Sequence, residues 1–253
     1  MRSSFLAAVA LLGVLWVGSA SAGQGDFALL RLGGQLVKWG EPRLGTGATV
    51  TYALAGSRME FPGARNCETV QPLAPSLTAS GIDPNGFRAE LTAAFQAWSA
   101  VADIHFTEAA ETSGADIIIG AEASPTGWAF TNVRQELRPE EQVGGAVRAL
   151  GRLPATSSAP APRGRQDVSP ILQSLICLNP VKRWKIGFDG NLSVYDLRYT
   201  LMHEIGHAIG LDHPDTAQEL MSFRYAESGR NLRPGDVQGA VALYGPAHLL
   251  ATP

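Results

Sequence analysis

Three histidines and a glutamate fall at His203, Glu204, His207 and His213 in the run His203-Glu204-Ile205-Gly206-His207-Ala208-Ile209-Gly210-Leu211-Asp212-His213. Residues four apart on an α-helix lie about 6 Å apart along the axis with about 40° of rotation between them, so His203 and His207 point the same way and can bind one metal ion. Glu204 then sits beside that ion without being a ligand. Gly210 can take the left-handed conformation that ends a helix and reverses the chain, which returns His213 as a third imidazole. Three nitrogen ligands leave the fourth position of a zinc ion open to water, the feature that separates a hydrolytic zinc from a closed structural one. Glu204 is placed there as the general base that takes the water's proton and returns it to the leaving nitrogen. An exposed polar helix face is the bland alternative; five residue identities at the required spacing weigh against it. The other two histidines, His105 in a β-prone run and His248 in the tail, have no comparable company and read as structural or surface residues.

Several elements must position this group. Ser193, with Asp196 three residues on, resembles a capping box and starts a helix whose Val194, Leu197, Leu201, Ile205 and Ala208 form one apolar face, with His203 and His207 on another. Asp83-Pro84 starts an earlier helix that buries Phe87, Leu91, Ala94, Phe95 and Trp98. A last helix runs from about Pro234, with Asp236 in its first turn favourable to the helix dipole, and buries Val237, Ala240, Val241 and Tyr244. Strands are read at Val37-Lys38-Trp39, Thr49 to Leu54, Asp103 to Thr107, Ala115 to Gly120 and Ile171 to Leu178, with Gly127 to Phe130 a weaker one. Between about Arg134 and Pro170 the periodicity breaks down, and the Pro/Ala/Ser-rich stretch from Leu153 to Gly164 reads as a flexible surface insertion within one domain spanning 23–253.

Composition narrows the function class. The chain has 253 residues with 20 basic against 23 acidic, so no basic excess marks it for nucleic acid. Residues 1–22 read as a secretory signal peptide: Arg2, an apolar run from Phe5 to Val17, then Ala20-Ser21-Ala22 as the cleavage site. No later segment is apolar enough to span a membrane, so a secreted monomer is expected, extracellular or, in a bacterium, periplasmic. Export puts Cys67 and Cys177 in an oxidising compartment, where a disulfide between them is the first expectation; two buried thiols, or Cys67 as a thiolate that blocks the zinc, are the alternatives.

With these residues in view the chain resembles the metzincins, and within them the matrixins, the family of the matrix metalloproteinases, particularly smaller bacterial members. Lys38-Trp39 with Thr51-Tyr52, Ala97-Trp98-Ser99 with Ala115-Asp116-Ile117, and Asp236 to Gly245 are similar to successive parts of a matrixin catalytic domain. The resemblance implies an α+β, zincin-like fold: a twisted, mixed five-stranded sheet with three helices, and a cleft above a smaller lower part. It also implies roles for Met221, eight residues past His213, as the Met-turn floor beneath the zinc, and for Tyr225 as a wall of the primary specificity pocket. Pro214 stands where the family usually has serine, as in the serralysins, but no glycine-rich calcium repeats follow. No histidine lies between His105 and His203, so a second, structural zinc site of the vertebrate kind is not expected, and one catalytic zinc is. Only Gly23 to Leu36 precede the apparent domain start, too few for the family's cysteine-bearing propeptide. Calcium is left open; Asp189 and Asp196 are explained as a turn and a helix start without it. The reading is therefore a secreted zinc-dependent endopeptidase acting on proteins or peptides. Its rivals are a zinc-binding scaffold with an occluded cleft that acts as a secreted binding protein, and a hydrolase of non-peptide amides.

Overall fold

A computed structural model describes residues 26–123, 126–136 and 167–248. The signal-peptide stretch and most of the insertion lie outside the described residues. Five strands carry the fold: β1 (Ala48–Leu54), β2 (Ile104–Glu108), β3 (Ile117–Glu122), β4 (Ala129–Gln135) and β5 (Val168–Leu178). Their order across the sheet is β2-β1-β3-β5-β4; the first four are parallel and β4 runs antiparallel along β5, so the sheet is mixed. Short strands, among them Gln35–Lys38 beside the start of β5, extend the described sheet to nine. The central strand shows why a sheet covered on both faces needs a continuous apolar run: Ile117, Ile118 and Ile119 are all buried. Ile117 and Ile119 pack into the main core beneath the helices, whereas Ile118 faces a second cluster with Leu175 and the disulfide of Cys67 and Cys177.

Three long helices complete the body: α1 (Pro84–Ser99), α2 (Leu197–Ala208) and α3 (Pro234–Tyr244). The side chain of Asp83 caps α1 by accepting from the amides of Asn85 and Gly86 at 2.9 and 3.0 Å, and the face expected from its periodicity is the buried one. Trp98 on that face donates its indole N–H to the Met202 carbonyl of α2 at 3.0 Å, which locks the two helices together. An additional short helix, Ala74–Ala79, has too few turns for its periodicity to show in sequence.

The structure corrects three sequence-based boundaries and one expected helix face. α2 begins at Leu197, capped by Asp196, whose side chain accepts from the Tyr199 amide at 2.8 Å; Ser193 stays outside because the Asn191 side chain engages its amide in a turn. Val194 therefore contributes nothing to the helix face. In α3, Leu243 is buried while Val237 and Val241 are only partly covered. Regular structure also reaches into the expected insertion from both sides, since β4 runs to Gln135 and β5 starts at Val168. β4 was faint in sequence because, among the described residues, it lies at the sheet edge and pairs only with β5, where polar Asn132 and Arg134 are tolerated.

Candidate active site

α2 delivers His203 and His207 to one end of a cleft of about 600 Å³. The helix stops where Gly210 takes a φ of +102°, in the left-handed region that an L side chain rarely adopts, and its missing Cβ would otherwise strike the Val37 carbonyl. The reversed chain brings back His213. The three Nε2 atoms stand 3.1 Å from one another in every pairing.

Hydrogen bonding decides which nitrogen of each ring is free. His203 Nδ1 lies 2.9 Å from the Leu220 carbonyl and His207 Nδ1 2.9 Å from the Leu211 carbonyl; carbonyls only accept, so both Nδ1 atoms carry the proton and both Nε2 atoms present lone pairs. Burial holds both rings below the usual histidine range, and His207 is depressed further by its two neighbouring rings. Lone pairs converging at 3.1 Å repel unless a cation stands between them. Tetrahedral zinc with bonds of about 2.0–2.1 Å separates its nitrogen ligands by about 3.3–3.4 Å, so this donor set fits the ion in both chemistry and size.

Glu204, next along the helix, is 6% exposed and lines the same cleft. Burial pushes its carboxyl up to about 7, against a hydrogen bond that favours the ionised form. That bond comes from Thr131 of β4, whose Oγ1 is 2.7 Å from Glu204 Oε2 and 3.0 Å from the Glu204 carbonyl oxygen. Thr131 carried no signal in sequence, because only the crossing of β4 over α2 brings the two residues together.

The lower wall of the cleft follows His213. Met221 is buried with its sulfur against Gly206 in the turn of α2 between the two histidines, a position that any Cβ would occupy. The turn is held by Asp236, whose carboxylate accepts from the amides of Leu220, Met221 and Arg233 at 2.9, 3.0 and 2.7 Å. Sequence reasoning gave Asp236 a dipole role only; its burial, at 2% exposed, is what reveals the second task. Tyr225 lies in the cleft lining, stacked on Tyr195, which stacks in turn on Trp128 with centroids 4.2 and 3.9 Å apart. Its hydroxyl accepts from the Asp196 amide at 2.9 Å and donates to Glu227 at 2.8 Å. Phe223 is 81% exposed and stands edge-on to the His213 ring.

The remaining candidates fall elsewhere. Cys67 and Cys177 form a disulfide between sequence positions 110 apart, on the face of the sheet away from the helices. His105 and His248 pair with Asp103 and do not join the three-histidine group. Asp189 is engaged by the Lys185 ammonium, and Asp196 by Arg230 and the Gly187 amide, so a protein cation or donor already meets each carboxylate raised as a calcium ligand.

Residues 163–245, which hold all three histidines, Glu204, Met221 and Tyr225, match the family model for matrixins. The relatives agree. The chain is 24% identical to the interstitial collagenase of Sus scrofa over 82% of its own length and 37% of that protein's. It is 29% identical to matrix metalloproteinase-19 of Homo sapiens over 66% of this chain and 27% of the relative. A shorter stretch, 28% of this chain and 19% of the relative, is 35% identical to the probable matrix metalloproteinase 095L of Invertebrate iridescent virus 3. The family-model match and these relatives support the matrixin family, and the mixed sheet with its few helices is consistent with a metzincin-like catalytic domain. It spans well under half the length of the relatives it matches.

Proposed function

We propose that the protein is a secreted zinc-dependent endopeptidase. The observation that carries the reading is the convergence of three imidazole Nε2 atoms, two of them fixed as lone-pair donors, beside one buried carboxylate inside a cleft. His203, His207 and His213 would hold the metal. The chemistry that zinc supplies when bound is Lewis acidity, which lowers the pKa of water and polarises a carbonyl.

This chain's own residues carry the rest. Glu204 takes the proton of the attacking water on the carboxylate oxygen that Thr131 leaves free, then delivers it to the departing amide nitrogen. The edge of β4 that no described strand covers can receive an extended peptide as one more strand, with main-chain hydrogen bonds supplying affinity. The wall of Tyr195, Tyr199 and Tyr225 then meets a substrate side chain.

Zinc content and casein cleavage, measured on purified wild type and Glu204→Ala, test this. Both proteins should bind about one zinc per chain, and the variant should lose about 10²–10⁴-fold in activity. Zinc binding without cleavage by the wild type would instead support the occluded scaffold, and no zinc binding would end the reading. The disulfide supports export to an oxidising compartment; sequencing the N-terminus of secreted protein should find Gly23 first, and an uncleaved Met1 would count against export by this route.

A further inference from the structure

The base does not stand alone. We infer that Thr131 is the positioning residue for Glu204, orienting its carboxylate for proton transfer; the inference rests on the peptidase reading above. β4 alternates its faces: Ala129 and Val133 pack into the main core under α2, Phe130 packs into the second cluster on the far side, and Thr131 therefore presents its hydroxyl to α2. A threonine side chain is stiff at χ1, so a strand that is itself fixed along β5 fixes the hydroxyl. Its 2.7 Å contact with Oε2 has the length of a charge-assisted bond, and it leaves Oε1 as the oxygen that faces the reacting water.

A neutral hydroxyl suits this place better than a cation, which would favour the ionised base alone. A threonine O–H has one proton and can also accept. While Glu204 is a carboxylate, that proton goes to Oε2. When Glu204 takes the water's proton on Oε1, Oε2 still accepts from the Thr131 hydroxyl, whose oxygen also stands 3.0 Å from the Glu204 carbonyl oxygen. The carboxyl group is thus held in one orientation before and after proton transfer. A lysine or arginine in the same place would hold only the ionised form.

The test compares zinc-loaded wild type, Thr131→Val, which keeps the shape and removes the hydroxyl, and Thr131→Ser, which restores it. With a fluorogenic peptide, Thr131→Val should lower kcat by about ten- to a hundredfold, the worth of a hydrogen bond to a charged group, with KM changed by less than about threefold. Thr131→Ser should recover most of the loss. Zinc content and melting temperature on the same samples separate positioning from damage to the fold; if Thr131→Val folds poorly, Thr131→Ala supplies the same kcat readout. Wild-type kcat in the valine variant, or failure of serine to rescue it, overturns the inference while leaving the peptidase reading intact. Absence of cleavage by the zinc-loaded wild type overturns both, and Glu204→Ala in parallel tells the two failures apart.

Discussion

The two halves of the site are held in place by different physics. His203, Glu204 and His207 ride on α2, whose Leu201, Met202, Ile205 and Ala208 are essentially inaccessible and packed into one continuous core with α1 and the sheet. Their positions are over-determined by many small apolar contacts, and no single neighbour decides them. His213, Met221 and Tyr225 lie instead on irregular chain whose burial is concentrated at Glu219 to Ser222. A few buried acids hold it: Asp236 gathers three amides, Glu219 accepts from the Gly235 amide at 2.9 Å, and Asp196 and Glu90 both engage Arg230. The difference teaches that the helical half should yield gradually to mutation and the loop half abruptly.

The largest effect should come from the loop half. Asp236→Ala strands two buried N–H donors and a part-buried third at once and should cost about 3–4 kcal/mol, read as a fall in the urea midpoint of zinc-loaded protein. A loss below about 1 kcal/mol would break the comparison, because the loop would then have other anchors.

The helical half carries one electrostatic liability. The folded pKa of Glu204, about 7, stands above the ordinary 4.5. Its contribution to stability is therefore full below about pH 4.5 and is lost as pH rises through 7. Metal-free wild type should lose about 3 kcal/mol between pH 4 and pH 8 relative to Glu204→Gln, and zinc should restore it by favouring the carboxylate. Parallel pH curves for the two metal-free proteins would mean that water reaches the carboxylate and the helical half is less sealed than its packing implies.

A smaller change sharpens the contact between the halves. Alanine at Gly206 gains up to about 1 kcal/mol of helix propensity but drives a methyl into the Met221 sulfur and the Trp98 ring. A net loss of about 1–2 kcal/mol is the expected result, measured as a drop in melting temperature accompanied by weaker zinc retention. A more stable Gly206→Ala would show that the two halves are not in close contact there.

Much of this was legible before any fold was built. The spacing of His203, His207 and His213, the glycine at 210 and the apolar periodicity of α1 and α2 are local properties of the chain. A helix imposes its own geometry on residues three and four apart, and only glycine readily takes the φ that Gly210 has. The strand Ile117–Glu122 was visible because burial on both sides leaves a run of apolar, β-branched residues, and Ala48–Leu54 through its β-branched and aromatic residues.

What the sequence left open depends on contacts between residues far apart along it. Thr131 meets Glu204 across 73 positions and Glu90 meets Arg230 across 140, and no local periodicity carries that information. The start of α2 lies at Asp196 rather than Ser193 because the Asn191 side chain ties the Ser193 amide into a turn while the buried Asp196 accepts from the Tyr199 amide. Chain order alone therefore specified which atoms could bind a metal and act as a base. The packing of β4 against α2, and of the loop against α3, decided how those atoms are held, because a long-range contact exists only after the core that brings its partners together has formed.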